Sequence, residues 1–359
     1  MKQNYLPRLA QRVFDEPLLI RPRKLYVILQ AIGPRLGMTE IDVDLVASRM
    51  PMVEDDIEEM DDEARAEKPY TVTPEGVAVI GISGTLVKTA SWMDAWSGLQ
   101  SYEMIRAEFQ DAVRDPRIKG ILLDVDSPGG EVGGLFDLAD EIYAARREKP
   151  VYAIANDAAF SAAYALASGA ERLFVTRTGG VGSIGVIASH VDQSGFDEKA
   201  GRKYTAVFAG ARKNDFNPHE PLTDSAKDDL QMEIDRLYEM FVAMAGRNRG
   251  MKASLVRNTE GGLFYGPRAV SAGLADEIGT KEQAITAVVE AATARKQARV
   301  TASAEAQIDK GKDNTMPELT KMADAPGAPA APAIEQKPAE APATAAPPAA
   351  PAVEAAAIE

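Results

Sequence analysis

Short apolar runs alternate with amphipathic helical stretches from Val72 to about Ala292. G-V-A-V-I-G-I-S-G-T-L (76–86) predicts a buried strand, and S-Y-E-M-I-R-A-E-F-Q-D-A-V-R-D (101–115) a helix. K-G-I-L-L-D-V-D-S-P-G-G (119–130) predicts a strand closed by a turn, and L-F-D-L-A-D-E-I-Y-A-A-R-R-E-K (135–149) a second helix. V-Y-A-I-A-N (151–156) is a further strand, and N-D-A-A-F-S-A-A-Y-A-L-A-S-G (156–169) a further helix. Strands that alternate with helices of this length imply βαβ crossovers and a mostly parallel sheet, hence the α/β class. R-L-F-V-T-R-T-G, V-I-A-S-H-V-D-Q and K-Y-T-A-V-F-A-G are expected to add strands. From Leu230 to Met244, Ile234, Leu237 and Phe241 recur at helical spacing, with Gly246 or Gly250 near the helix end.

Outside this core the composition shifts. Residues 1–52 predict a small helical segment, in which Pro22 suits a first turn. Residues 53–70 form a linker, with acidic side chains at eight of the ten positions from Glu54 to Glu63. The globular domain is placed at 71–292. Residues 293–359 are expected to be a flexible tail, because Pro and Ala dominate after Met316 and no aromatic follows Tyr265.

Charge and residue usage exclude whole classes of chemistry. A net charge of −14 argues against nucleic acid as the main partner, since phosphate contacts need clustered Lys and Arg. The absence of cysteine removes disulfides, thiolate metal sites and a cysteine nucleophile, and fits a cytoplasmic location. No stretch has the roughly 18–20 uninterrupted apolar residues of a membrane span. G-V-G-S-I-G (180–185) has the glycine spacing of a dinucleotide fingerprint, but the residues after it read as strand where that motif requires a helix.

Two segments point to nucleophilic catalysis. D-S-P-G-G (126–130) follows a very apolar strand, and backbone N–H groups there could hold a developing oxyanion. Ser161 stands at a predicted helix start, crowded by alanines. Taken alone it reads as an N-cap, the commoner role of a serine in that place. A nucleophile needs a base, and neither His190, in a strand-like stretch, nor His219, in N-P-H-E-P, has the setting of one. A lysine serves if burial lowers its pKa. Spacing does not say which lysine.

Five ordered motifs decide among these options. D-S-P-G-G (126–130), F-S-A-A-Y (160–164), T-G-G-V-G-S-I-G-V (178–186), F-A-G-A-R-K-N (208–214) and G-L-F-Y-G-P-R-A-V-S-A-G-L-A-D-E-I-G (262–279) together resemble the S49 peptidase family, the signal peptide peptidase A type. The resemblance implies a Clp-peptidase/crotonase-like fold, Ser161 as nucleophile and Lys213 as general base. Gly129, Gly130 and the Ala162 amide would line the oxyanion hole, and Ser183 would orient the lysine. Many members carry Ala-Ser-Gly-Gly at the nucleophile, where this chain has Phe160-Ser161-Ala162-Ala163.

E-P-L-L-I-R-P (16–22) resembles the phage and prophage branch, the head maturation and capsid assembly proteases. That branch implies scaffold, portal and capsid proteins as substrates, a homo-oligomer, no cofactor and no metal. Substrate would pair as an added strand near Gly130 to Val132. The alternatives from the sequence are a soluble cellular enzyme that degrades peptides and a catalytically inert capsid scaffold.

Overall fold

The computed structural model describes residues 18–20, 70–89 and 98–312. The expected N-terminal helix, the acidic linker and the Pro/Ala tail lie outside the described residues. The chain divides into two units, Met1–Glu305 and Ala306–Glu359, and the site lies in the first.

The strands are β1 (Leu18–Ile20), β2 (Thr71–Val72), β3 (Val77–Val87), β4 (Leu99–Ser101), β5 (Gly120–Glu131), β6 (Val151–Phe160), β7 (Arg172–Val175), β8 (Gly180–Gly182), β9 (Leu263–Tyr265) and β10 (Glu277–Ile278). The helices are α1 (Tyr102–Arg114), α2 (Leu135–Ala145), α3 (Ala162–Ser168), α4 (Ser194–Lys199), α5 (Asp224–Arg249), α6 (Ala253–Arg257), α7 (Pro267–Ser271) and α8 (Lys281–Lys312). One sheet carries the order β10-β7-β6-β5-β3-β2. Its strands from β10 to β3 run parallel, as the alternation of strands and helices requires.

Period-two alternation sorts the side chains of this sheet onto two buried faces. Ala78, Ile80, Ile82, Ile121, Leu123 and Val125 belong to a core that also holds residues of α1, α2, α3 and α5. Val77, Val79, Leu122, Tyr152 and Ile154 face the other way, onto Ala284 and Val288 of α8. Helix α8 therefore continues without a break past 292, where the sequence suggested that the domain ends. The closing G-L-A-D-E-I-G is held by Asp276, which accepts the Leu173 amide and both terminal nitrogens of Arg249. Burial pulls its carboxyl up, but these donors win and hold it below the usual carboxylate range.

Three local expectations fail. D-S-P-G-G is no turn: β5 runs through it to Glu131, with irregular register beside Ser127, and the chain turns over residues 132–134. V-I-A-S-H-V-D-Q forms no strand and makes a single bridge, from Ile187 to Leu18. K-Y-T-A-V-F-A-G is also irregular, and Val207 is 95% exposed. Both segments have strand-like residues, but a strand exists only where an edge accepts its N–H and C=O groups.

Candidate active site

The site lies at the carboxyl ends of β5 and β6, where parallel sheets open a crevice. Strand β6 continues through Asn156–Phe160, so the first residues of the predicted alanine-rich helix are strand. At its end Ala158–Phe160 leave β7 and pair with β8 instead. Ser161 follows, and α3 starts at Ala162. All seven residues of α3 are buried. The alanines let this helix sit inside the core, since a helix apolar on every side must be enclosed.

Ser161 has φ 55° and ψ −117°, a backbone region that costs a non-glycine residue on the order of 1–3 kcal/mol. Its amide donates to the Gly182 carbonyl at 2.7 Å, and Ala165 N–H donates to its carbonyl at 3.0 Å. Its Oγ caps nothing: it is buried and has no hydrogen-bond partner among the described residues. An N-cap serine has an extended backbone and an Oγ that accepts an amide; Ser161 has neither. A serine forced into a tight strand-to-helix turn with its hydroxyl unspent has the backbone of a nucleophile elbow, though its Oγ is covered here.

Gly129 and Gly130 come to this serine on β5. A Cβ on Gly129 would stand 2.2 Å from the Leu19 carbonyl oxygen and 3.0 Å from Ser161 Cβ, and Gly129 has φ 103°. A Cβ on Gly130 would stand 1.8 Å from the Leu86 oxygen. These glycines thus serve close approach. Ser127, a member of D-S-P-G-G with no role assigned from the sequence, is fully buried beneath them. Its Oγ donates to the Gly84 carbonyl at 2.7 Å and accepts the Gly129 amide at 3.2 Å. The signal was available: a serine inside an apolar strand must spend its hydroxyl on a neighbour.

Ser183 also has positive φ, 54°, and its amide donates to Gly262 at 2.8 Å. Ser161 and Ser183 are two of the four non-glycine residues with positive φ among those described. Ser183 lines a cleft of about 410 Å³ with Ile20, Gly185, Ile187, Tyr238 and Glu260.

Lys213 is placed differently. It lies exposed on the irregular segment before α5, where it lines a separate hollow with Tyr204, Asn217 and His219. His219 Nδ1 lies 2.6 Å from Asp197 Oδ2, and its ring stacks on Tyr204 at 3.6 Å. His219 is therefore already engaged on this loop. Among the described residues no cluster of three His, Asp or Glu could hold a metal ion, and no helix is long and apolar enough to cross a membrane.

Residues 144–295 match the model of "Peptidase family S49". Capsid assembly protease C of Escherichia phage lambda is 38% identical over 81% of this chain and 67% of its own length. The chain belongs to peptidase family S49. A second relative, the head-tail preconnector protein GP5 of Enterobacteria phage P21, is 38% identical over 81% of this chain and 58% of its own. The putative signal peptide peptidase SppA of Enterococcus faecium is 32% identical over 48% of this chain and 50% of its own. The chain thus spans roughly six-tenths to two-thirds of the two phage proteins it matches. E-P-L-L-I-R-P pointed to the phage branch of S49, and these two relatives are phage proteins. Among solved structures, a point mutant of ClpP1 from Listeria monocytogenes aligns over 57% of this chain and 93% of its own, with TM-score 0.32 and 12% identity.

Proposed function

We propose that this chain is a serine endopeptidase that processes scaffold, portal or capsid proteins while a phage head assembles. The observation that carries the peptidase reading is the Ser161 turn, with positive φ and a buried hydroxyl that no neighbour uses. The head-protein reading rests on relatives named as a capsid assembly protease and a head-tail preconnector. Such a protein works in the host cytoplasm and inside the assembling head.

In this mechanism Ser161 Oγ gives its proton to the Lys213 amine and attacks a peptide carbonyl carbon. Amides of Gly130 and Ala162 would hold the oxyanion, joined by that of Gly129 once it turns from Ser127 Oγ, and Ser183 would orient the lysine. The lysine proton passes to the leaving amine as the C–N bond breaks. Water, activated by the same amine, then releases the acyl group and restores Ser161.

A lysine base needs desolvation, which one chain does not give the exposed Lys213. Near it lies K-Y-T-A-V-F-A-G, strand-like but unpaired, with Val207, Phe208 and Tyr204 in solvent. Exposed apolar side chains on an unpaired strand-like segment suit an interface. A homo-oligomer in which another copy covers this segment would bury the lysine, and completing the site also requires the loop that carries Lys213 to bring its amine to Ser161.

Co-expression with the neighbouring head proteins tests the reading. Defined fragments should form with the wild type and be absent with Ser161→Ala and with Lys213→Ala. Fragments that persist with either variant refute the dyad.

A further inference from the structure

The edge expected to receive substrate is already taken. Strand β1 pairs antiparallel with β5 in the register Leu18 to Glu131, Leu19 to Gly130 and Ile20 to Gly129. Its other side is held too: Leu18 N–H donates to Ile187 O at 2.7 Å, and Ile187 N–H donates to Leu18 O at 2.9 Å. The three residues are thus clamped between two backbones, as an extended peptide is in strand addition. All three side chains are buried.

Their position relative to the serine is the decisive point. The Leu19 carbonyl oxygen and Ser161 Cβ both lie within 3.0 Å of the point a Gly129 Cβ would occupy. A peptide carbonyl of the chain itself and the Ser161 side chain thus both abut Gly129, and Ser161 is only 1% exposed. Ile20 also lines the cleft that holds Ser183 and Tyr238. A substrate cannot pair with Gly129–Glu131 while β1 does.

We propose that Leu18–Ile20 is a tethered pseudosubstrate: it fills the peptide slot, and a substrate binds by displacing it. The slot then takes an extended segment with consecutive branched aliphatic side chains, the chemistry of Leu-Leu-Ile itself. Because β1 is part of the chain, it competes at an effective concentration that a free peptide must match. Turnover is held down until a substrate strand, delivered at high local concentration, takes its place. This rests on the peptidase reading for its consequence and on strand pairing for its substance.

The lack of native cysteine makes a clean test possible. Leu18 and Ile187 exchange both hydrogen bonds, a pairing that sets Cα atoms about 5.5 Å apart, inside the span of about 4.4–6.8 Å that a disulfide bridges. In a Ser161→Ala background, Leu18→Cys with Ile187→Cys is assayed for binding of a fluorescein-labelled E-P-L-L-I-R-P peptide by anisotropy. Oxidation should weaken binding at least about tenfold and reduction restore it. Leu18→Pro, which lacks the N–H donated to Ile187, should bind the peptide several-fold more tightly than the same background with Leu18. Equal binding in oxidised and reduced protein overturns the strap, whether or not the proline variant folds. Hydrolysis with Ser161 restored separates the two ideas. Binding that follows the disulfide, with no Ser161-dependent hydrolysis in any state, sinks the peptidase and upholds the strap. Hydrolysis that is equal in oxidised and reduced protein upholds the peptidase and sinks the strap.

Discussion

Two helices of this protein are entered from a strand through a serine, and the two serines do opposite things. Ser101 joins β4 to α1 with φ −90° and ψ 144°, and its Oγ accepts the Met104 amide at 3.1 Å. Thr223 opens α5 in the same way. Ser161 joins β6 to α3 with φ 55° and ψ −117°, and its Oγ bonds to nothing described. Residue type and place in the chain are alike; the backbone differs. At Ser161 the amide is fixed to Gly182 of β8, so the turn is held by the sheet and the hydroxyl is spared. A strained, unsatisfied residue persists only where the surroundings over-determine it, and such places are usually functional.

The widest separation of the two sites comes from replacing each serine. Ser161→Gly should cut peptide hydrolysis on the order of 10³-fold or more, the scale of losing a catalytic nucleophile. It should leave the melting midpoint unchanged or higher, because glycine adopts positive φ without the strain that serine bears. Turnover assays beside thermal melts check both. Retained turnover would make Ser161 a packing residue, and a lowered midpoint would make it a structural cap after all.

The same contrast explains what was legible in the sequence. The parallel core was, because Ile121, Leu123 and Val125 alternate with Leu122 between two buried faces. Ser161 drew notice through its alanines and its motif, but its backbone conformation was not legible, since its amide is held by Gly182 in another strand. D-S-P-G-G misleads because paired glycines signal turns, whereas here they make room for the Leu86 and Leu19 carbonyls. Strand β1 left no periodic signal, for three residues are too few to carry one. Lys213 was named only by family resemblance, and its exposure in one chain shows why no local pattern singled it out.

On α1 the charge that burial affects is structural, which sharpens the contrast. Glu108 is buried, and desolvation pushes its carboxyl up to about 7 from an ordinary 4.5. The folded protein thus holds this proton more tightly than the unfolded chain does. The stability this adds is complete below about pH 4.5 and is lost as pH rises through about 7. Glu108→Gln keeps the side-chain shape and removes the titration. The variant should therefore gain on the wild type by about 1–3 kcal/mol between pH 5 and pH 8. Melting curves at the two pH values read this, and turnover should follow the fraction folded. A constant gap between the two proteins would show that Glu108 ionises freely.

The smallest effect belongs to the cap itself. Ser101→Ala removes the acceptor for the Met104 amide and should cost about 1 kcal/mol. In a domain of this size that lowers the melting midpoint by about 2–4 °C. Ser101→Thr, which keeps a hydroxyl, should recover most of the loss. Neither change should alter kcat/KM, because the Ser101 Oγ caps α1 and makes no hydrogen bond to the Ser161 turn. If Ser101→Ala did lower kcat/KM as much as Ser161→Gly, the two helix entrances would be one coupled unit. Strain at Ser161 would then be set by packing around α1 as well as by the Gly182 hydrogen bond.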